Sequence, residues 1–310
     1  MLLVLTPNPA IDRLLLVPGF RNAEVVRVLE RRDAAGGKGL NVARVARTLG
    51  QDVRVLGLLG GETGRRVAAL AADEGFDAHW AWMQHGETRI CTLISDPEHY
   101  DTLTINEPGP SLTPADWDRL EALVYAQAAQ AQGLCIAGSL MPATQLERFQ
   151  TMLRSLPVHC QIFLDTSGPA LRSALGLPLK LIKVNADEIG DVLSTAITTF
   201  EEAAQAACHV CAMGTHMVVI TLGKQGAVAA DATGSWAASP PEVSSLSPVG
   251  SGDATMAGLA SAILQDQSLP QALRLGVACG TANALTIGPG RIRMDDLHHL
   301  LHGVEITQLS

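Results

Sequence analysis

Short apolar runs alternate along this chain with longer amphipathic stretches, and each run stops at a turn. Residues 1–5 form the first run, which ends at Thr6-Pro7-Asn8-Pro9. Others occupy residues 53–59, 134–137, 161–164, 179–184 and 217–222. Runs this short and this apolar, bounded by turn residues, predict strands buried on both faces. The stretches between them predict helices over 42–49, 65–74 and 144–156, and the last third reads as mainly helical, at 253–264, 270–287 and 295–301. A repeating order of strand, turn and helix predicts an α/β fold with a mostly parallel sheet covered by helices.

Two stretches break that pattern. Residues 12–33 alternate loosely through Leu14, Leu16, Val25 and Val28, and residues 79–106 do the same around Arg89-Ile90-Cys91-Thr92-Leu93-Ile94. Such alternation predicts half-exposed antiparallel strands. Together they are expected to form a small sheet, a lid over a cleft, whose outer face suits a homodimer. Polar residues stand where the predicted strands end: Asn8 and Asp12, Gly138-Ser139, Asp165, Asn185 and Glu188, and Gly223. Ligands of open parallel sheets bind outside those carboxyl ends, so an active site is expected along that edge.

Length and composition narrow the classes. A chain of 310 residues, 47% apolar and 17% charged, fits one large α/β domain spanning residues 1–310. The net charge of −9, with no basic run longer than Arg31-Arg32, argues against nucleic-acid and anionic-membrane partners. No run reaches membrane-spanning length and the opening residues lack a positive n-region, so a cytoplasmic protein is expected. The six cysteines are scattered, as reduced ones are. Cys208-His209-Val210-Cys211 lacks the second ligand pair of a zinc site and is expected to be a helical core pair.

Four segments carry candidate chemistry. Gly250-Ser251-Gly252-Asp253 opens the helix predicted at 253–264, so its small residues and the helix dipole suit an anion. Asp253 beside that anion suits a proton acceptor for an attacking hydroxyl, though an aspartate in a first turn also simply favours the dipole. Ala35-Gly36-Gly37-Lys38-Gly39-Leu40-Asn41 resembles a phosphate loop but fails the P-loop pattern at Gly39 and the dinucleotide pattern at Val42. What remains is close backbone approach to a polar ligand reached by Lys38 and Asn41, or a tight turn with a solvated lysine. Asn185 and Glu188 stand three apart at a strand end, where Glu188 with Asp165 suits magnesium, and where a capping box fits equally well. Thr221-Leu222-Gly223-Lys224-Gln225-Gly226 is either a turn under a nucleotide or an ordinary hairpin.

Taken in order, these segments resemble the PfkB (ribokinase-like) family of carbohydrate kinases, in the branch of 1-phosphofructokinase and tagatose-6-phosphate kinase. The resemblance runs from Thr6 to about Ile292. It is carried by Asn8-Pro9-Ala10-Ile11-Asp12, Gly36-Gly37-Lys38-Gly39-Leu40-Asn41, Gly86-Glu87-Thr88-Arg89, Asn106-Glu107-Pro108-Gly109-Pro110, Gly138-Ser139-Leu140, the Asn185–Glu188 pair and Gly250-Ser251-Gly252-Asp253. It implies a three-layer ribokinase-like fold with a small sheet as lid, and the cofactors ATP and Mg2+, with K+ in some members. Asp12, Gly37 and Asn41 would contact sugar hydroxyls, while Lys38, Arg89 and Ser139 would hold the phosphate already on the sugar. Asn185, Thr221, Gly223, Lys224, Gly226 and Asn283 would line the nucleotide, and Asp165 and Glu188 would serve the metal. Gly250, Ser251 and Gly252 would form the anion hole, with Asp253 as base.

The chain departs from the family pattern at Pro7, at Val184 where proline is usual, and at Met141 and Ala143, which replace a proline and a glycine. No departure removes a functional side chain. The implied reaction is phosphorylation of fructose 1-phosphate to fructose 1,6-bisphosphate. Tagatose 6-phosphate and fructose 6-phosphate stay open, because a ketohexofuranose phosphate carries a CH2O group at each end. Two further readings are a kinase of free sugars or nucleosides, which leaves Lys38 and Arg89 without an anionic partner, and a non-catalytic sensor, which has no use for an intact base and anion hole.

Overall fold

The computed structural model describes residues 1–19, 25–96, 98 and 102–309; the rest of the two lid stretches, at 20–24, 97 and 99–101, lies outside the described residues. The chain begins with β1 (Leu2–Thr6), β2 (Ala10–Leu16), β3 (Glu30–Gly36), α1 (Lys38–Thr48) and β4 (Val53–Leu59). There follow α2 (Gly61–Asp73), β5 (Asp77–Trp82), β6 (Arg89–Ser95), β7 (Thr102–Asn106), α3 (Pro114–Ala128) and β8 (Gly133–Ala137). Next come α4 (Leu146–Arg154), β9 (Gln161–Asp165), α5 (Gly168–Ala174), β10 (Leu181–Asn185), α6 (Ala186–Leu193) and α7 (Phe200–Ala212). The chain closes with β11 (Val218–Thr221), β12 (Ala227–Asp231), β13 (Gly234–Ser239), α8 (Ser251–Ile263), α9 (Leu269–Ala284), α10 (Met294–Gly303) and β14 (Glu305–Leu309).

Ten strands form one sheet in the order β14-β13-β12-β11-β10-β9-β8-β1-β4-β5. Neighbours from β11 through to β5 run parallel, and the β11–β12, β12–β13 and β13–β14 pairs are antiparallel. Burial on both faces follows the two-residue period of a strand: Leu2 and Val4 of β1 enter one core, Leu3 and Leu5 the other. α1, α2, α8, α9 and α10 supply the first core, and α3, α4, α5, α6 and α7 the second. This is the three-layer α/β arrangement expected from the strand–turn–helix order.

The second sheet has the order β3-β2-β6-β7. Its central β2–β6 pair is parallel, not antiparallel as the alternation suggested, because β6 is reached only after the chain has passed through the main sheet. Residues 79–82 also leave the expected lid stretch, since β5 pairs with β4 at the edge of the large sheet. Gly57 makes room there, as a Cβ on it would sit 2.8 Å from the Trp80 ring.

Other differences have local causes. α2 starts at Gly61, earlier than expected, because its first amides are capped from a distance: Glu62 N and Thr63 N donate to the Glu87 carboxylate at 3.1 and 2.9 Å. The last third holds β12, β13 and β14 besides helices; the Ala-, Ser- and Gly-rich sequences of β12 and β13 hide their strand character. Cys208 is exposed on α7 and Cys211 half-buried, so they are helical neighbours and not a core pair.

Candidate active site

A cleft of about 1600 Å3 runs along the carboxyl ends of the parallel strands, between the two sheets. Of the residues singled out in the sequence, Asp12, Gly37, Lys38, Asn41, Arg89, Ser139, Asn185, Glu188, Thr221, Gly223, Lys224, Gly226 and Gly250 to Asp253 all line it. Asp165 and Asn283 do not.

The turn into α8 sits at its floor. Gly250 holds a left-handed conformation, φ +86°, and a Cβ there would lie 2.7 Å from Pro289 Cα, so only glycine fits. Ser251 N donates to Pro248 O at 3.2 Å, while among the described residues the amides of Gly252 and Asp253 find no partner in the chain. Free amides at a helix N-terminus favour an anion. Asp253 follows directly, only 6% exposed, with Oδ2 accepting Asn41 Nδ2 at 2.8 Å. Burial, aided by the charge of Asp165, pushes its carboxyl up to about 6 against the pull of Lys38, Asn41 and Lys183. A carboxylate near neutrality in its titration is suited to accept a proton.

Two lysines face this turn through one carboxylate. Lys38 Nζ, on the first residue of α1, donates to Asp165 Oδ1 at 2.9 Å, and Lys183 Nζ donates to Asp165 Oδ2 at 2.6 Å. Burial alone would raise Asp165, but Lys183 and Lys38 together hold it below the usual carboxylate range. Asp165 in turn, despite the cost of burial, keeps Lys38 firmly cationic. Asp165 is therefore the fully buried counter-ion of two lysines and not the cleft-facing metal ligand expected of it. Lys183, a residue of β10 that the sequence does not single out, lies where a Cβ on Gly252 would come within 2.9 Å of its Nζ. A lysine inside the otherwise apolar run Leu181-Ile182-Lys183-Val184 is the signal in the sequence.

The residues expected to meet the sugar and its phosphate sit on α1, on the second sheet and just after β8. Asp12 is cradled by Gly36, where any side chain would overlap its carboxylate, and accepts Gly37 N at 3.4 Å. Burial raises its carboxyl, opposed by the Gly37 amide and by Arg44 and Arg89. Arg89 spans two segments, its Nη1 donating to Glu107 O at 2.9 Å and its Nη2 to Asn8 O at 3.0 Å. Asn41, expected against sugar hydroxyls, lines the cleft with both ends of its amide engaged: its oxygen accepts Arg44 Nη1 at 3.0 Å and its nitrogen donates to Asp253 Oδ2 at 2.8 Å. Ser139 is exposed at the end of β8, after Gly138 with φ +123°.

At the other end Gly223 opens onto space, while Gly226 abuts Ala238 O, where no side chain fits. Asn185 and Glu188 do form a capping box, Glu188 N to Asn185 Oδ1 at 2.7 Å and Asn185 N to Glu188 Oε2 at 2.9 Å. Glu188 Oε1 stays on the cleft side, 3.6 Å from Lys38 Nζ. Val243, Val277, Ala284 and Ile287 give this end an apolar wall. Asn283 lies behind it, fully buried, and not against the nucleotide as expected. Its Nδ2 donates to Val249 O at 2.9 Å and its Oδ1 accepts Arg291 N at 3.2 Å, tying together two loops of the wall.

Comparison with known proteins points to one family. The profile described as pfkB family carbohydrate kinase matches residues 8–295. The 1-phosphofructokinase of Rhodobacter capsulatus is 34% identical over 285 residues, covering 91% of this chain and 90% of that protein. The 1-phosphofructokinase of Escherichia coli strain K12 is 31% identical over 293 residues, covering 94% and 92%. Among solved structures, Escherichia coli phosphofructokinase-2 in complex with fructose-6-phosphate superposes with a TM-score of 0.87 at 26% identity, covering 97% of this chain and 98% of that one. Its complex with potassium gives 0.90 at 27% identity, with the same coverage.

Proposed function

The chain belongs to the pfkB family of carbohydrate kinases, and from that premise we propose that it phosphorylates fructose 1-phosphate to fructose 1,6-bisphosphate with ATP. The observation that carries the reading is Asp253, a buried carboxyl pushed up to about 6 beside two unpaired helix amides. In this reading Asp253 takes the proton of the free hydroxymethyl as the hydroxymethyl oxygen attacks the γ-phosphorus and the bond from that phosphorus to the bridging oxygen breaks, releasing ADP. The amides at the head of α8, with Lys183, stabilise the charge that gathers on the transferred group. Lys38, Arg89 and Ser139 hold the phosphate already on the sugar, and Asp12 holds a hydroxyl.

The donor set suits magnesium brought in by the nucleotide, since that ion takes one or two carboxylates with waters and phosphates. Glu188 would hold it through Oε1, and the ion would neutralise charge between the phosphates. Thr221, Gly223 and Lys224 border the nucleotide end. Among the described residues no helix is long and apolar enough to cross a membrane, which is consistent with a cytoplasmic enzyme. The second sheet exposes Leu103 and Ile105 of β7, a surface suited to a homodimer; sedimentation of Ile105→Lys as the same species as wild type would remove that assignment.

A second reading, 6-phosphofructokinase activity, is favoured by the likeness to phosphofructokinase-2. A coupled ADP-release assay with ATP and magnesium, run on fructose 1-phosphate, fructose 6-phosphate, tagatose 6-phosphate and free fructose, decides between them. Preferred turnover of fructose 1-phosphate is expected; preference for a 6-phosphate would transfer the assignment to the second reading.

A further inference from the structure

Arg44 lies on α1, one helical turn beyond Asn41, and is bound on every side. Its Nε donates to Glu74 Oε2 at 2.6 Å, and its Nη2 to Glu74 Oε1 at 3.0 Å and Ala35 O at 2.7 Å. Its Nη1 donates to Asn41 Oδ1 at 3.0 Å, and the guanidinium stands 5.7 Å from the centre of the Phe76 ring. A guanidinium only donates hydrogen bonds. The oxygen of Asn41 must therefore face Arg44, which leaves its nitrogen to face Asp253 Oδ2 at 2.8 Å.

From this geometry we infer that Arg44 is a positioning residue for the base, acting through Asn41 to fix which end of that amide meets Asp253. The inference rests on the reading of Asp253 as base. The two ends of an amide are nearly equal in shape, so only their partners choose between them. With Arg44 in place, Asn41 offers Asp253 an N–H, which favours the ionised carboxylate. Without it, the amide is free to turn its oxygen to Asp253, which favours the protonated acid. Asn41 also occupies Oδ2, leaving Oδ1 as the atom with free acceptor capacity. The charged groups that face Asp253 are Lys38 from α1, Asp165 from the end of β9 and Lys183 from β10, and none of them changes in the test below.

The test is the pH profile of kcat/KM for Arg44→Lys, which keeps the charge but cannot hold Glu74, Ala35 and Asn41 together. Its acid limb is expected to move up by about one pH unit, the size of one hydrogen bond to a carboxylate. At pH 6 the ionised fraction then falls from about one half to about one tenth, and activity recovers at higher pH. A uniform loss at every pH with the limb unmoved would overturn the inference, since a purely structural role acts that way. Glu74→Gln, which weakens the ion pair but spares the Asn41 contact, is expected to lower Tm with the limb in place; an equal shift there overturns it as well. If Arg44→Lys does not fold, Asn41→Ala carries the test, and an unmoved limb in that variant is equally fatal. The Asn41→Ala/Arg44→Lys double variant should shift no further than Asn41→Ala alone, because Arg44 acts through Asn41. Asp253→Asn separates the two failures. If it keeps its turnover, the base reading falls and this inference with it. If it is inactive while the Arg44 and Asn41 variants leave the limb in place, this inference alone falls.

Discussion

Lys183 stands directly beneath Gly252: a Cβ on that glycine would come within 2.9 Å of the lysine Nζ, and nothing else lies as near. The turn proposed as anion hole thus carries, among the described residues, two amides without a partner in the chain, and a buried ammonium stands beside it. Lys183 is kept there by Asp165, which it shares with Lys38. One buried carboxylate thereby holds both cations at the wall of the cleft.

The two glycines of this turn should respond differently to alanine. At Gly250 the new Cβ meets the backbone of Pro289 and Gly290 at 2.7–2.8 Å in a left-handed conformation. Gly250→Ala is expected to lose about 2 kcal/mol or more of stability. Gly252→Ala meets only the tip of Lys183, which moves aside; the protein is expected to melt within a few degrees of wild type while kcat falls about tenfold or more. Equal Tm losses in both variants would show that the difference in packing is not felt.

Asp253→Asn should lower kcat by at least ~100-fold with little change in KM, as expected for removal of a general base. Steady-state kinetics with saturating ATP measure both. Turnover within tenfold of wild type would end the assignment of Asp253.

The same variant should gain stability at neutral pH. The folded carboxyl titrates at about 6 against an ordinary value of 3.8, so its ionisation works against the fold. The stability it allows is complete below about 4 and is lost as pH rises through about 6. Asparagine has no such loss. Asp253→Asn is expected to exceed wild type by roughly 1–3 kcal/mol at pH 8, while Tm values at pH 4 coincide. Urea unfolding at the two pH values measures it, and a gain of equal size at both would contradict the titration.

Much of this site could be read from the chain because its parts end strands, and strand ends are local. Gly138, Asn185 and Gly223 each follow a mostly apolar run, and the sheet brings those ends to one edge without further information. What could not be read depends on partners far away in the chain. The early start of α2 depends on Glu87, the state of Lys183 on Asp165, and the orientation of Asn41 on Arg44, itself held by Glu74. Asn283 matched a nucleotide contact by position, but only packing shows it buried behind the wall. β12 and β13 escaped notice because alanine carries little strand preference; they are strands because β11 and β14 pair with them.

Ala143 departs from the family's usual glycine, and the backbone still has the glycine conformation, with φ +61°. A left-handed alanine costs roughly 1–2 kcal/mol, and glycine gives back part of that through its freer unfolded chain. Ala143→Gly is therefore expected to stabilise the protein by about 0.5–1 kcal/mol, with kcat unchanged. Differential scanning calorimetry would register a rise in Tm of about 1–3 °C; a fall would mean that the Ala143 side chain contributes packing that outweighs the strain.

Arg89 is asked to do two things, and its variants should separate them. Its guanidinium bridges Glu107 O and Asn8 O, so it joins the segment after β7 to the end of β1, and Glu107 returns the contact by accepting Ile90 N at 2.9 Å. Arg89→Ala removes both bridges and leaves two carbonyls without their donor, so Tm should fall whatever the substrate does. If Arg89 also binds the sugar's phosphate, KM for that substrate should rise about 10- to 100-fold, the range of one charge-assisted contact, while KM for ATP stays put. Arg89→Lys restores a cation but not the planar fork. It is expected to recover part of the KM and little of the Tm, because the phosphate responds to charge whereas the two carbonyls need both arms. A lowered Tm with an unchanged KM in both variants would leave Arg89 as a clasp between segments and pass the phosphate to Lys38 and Ser139.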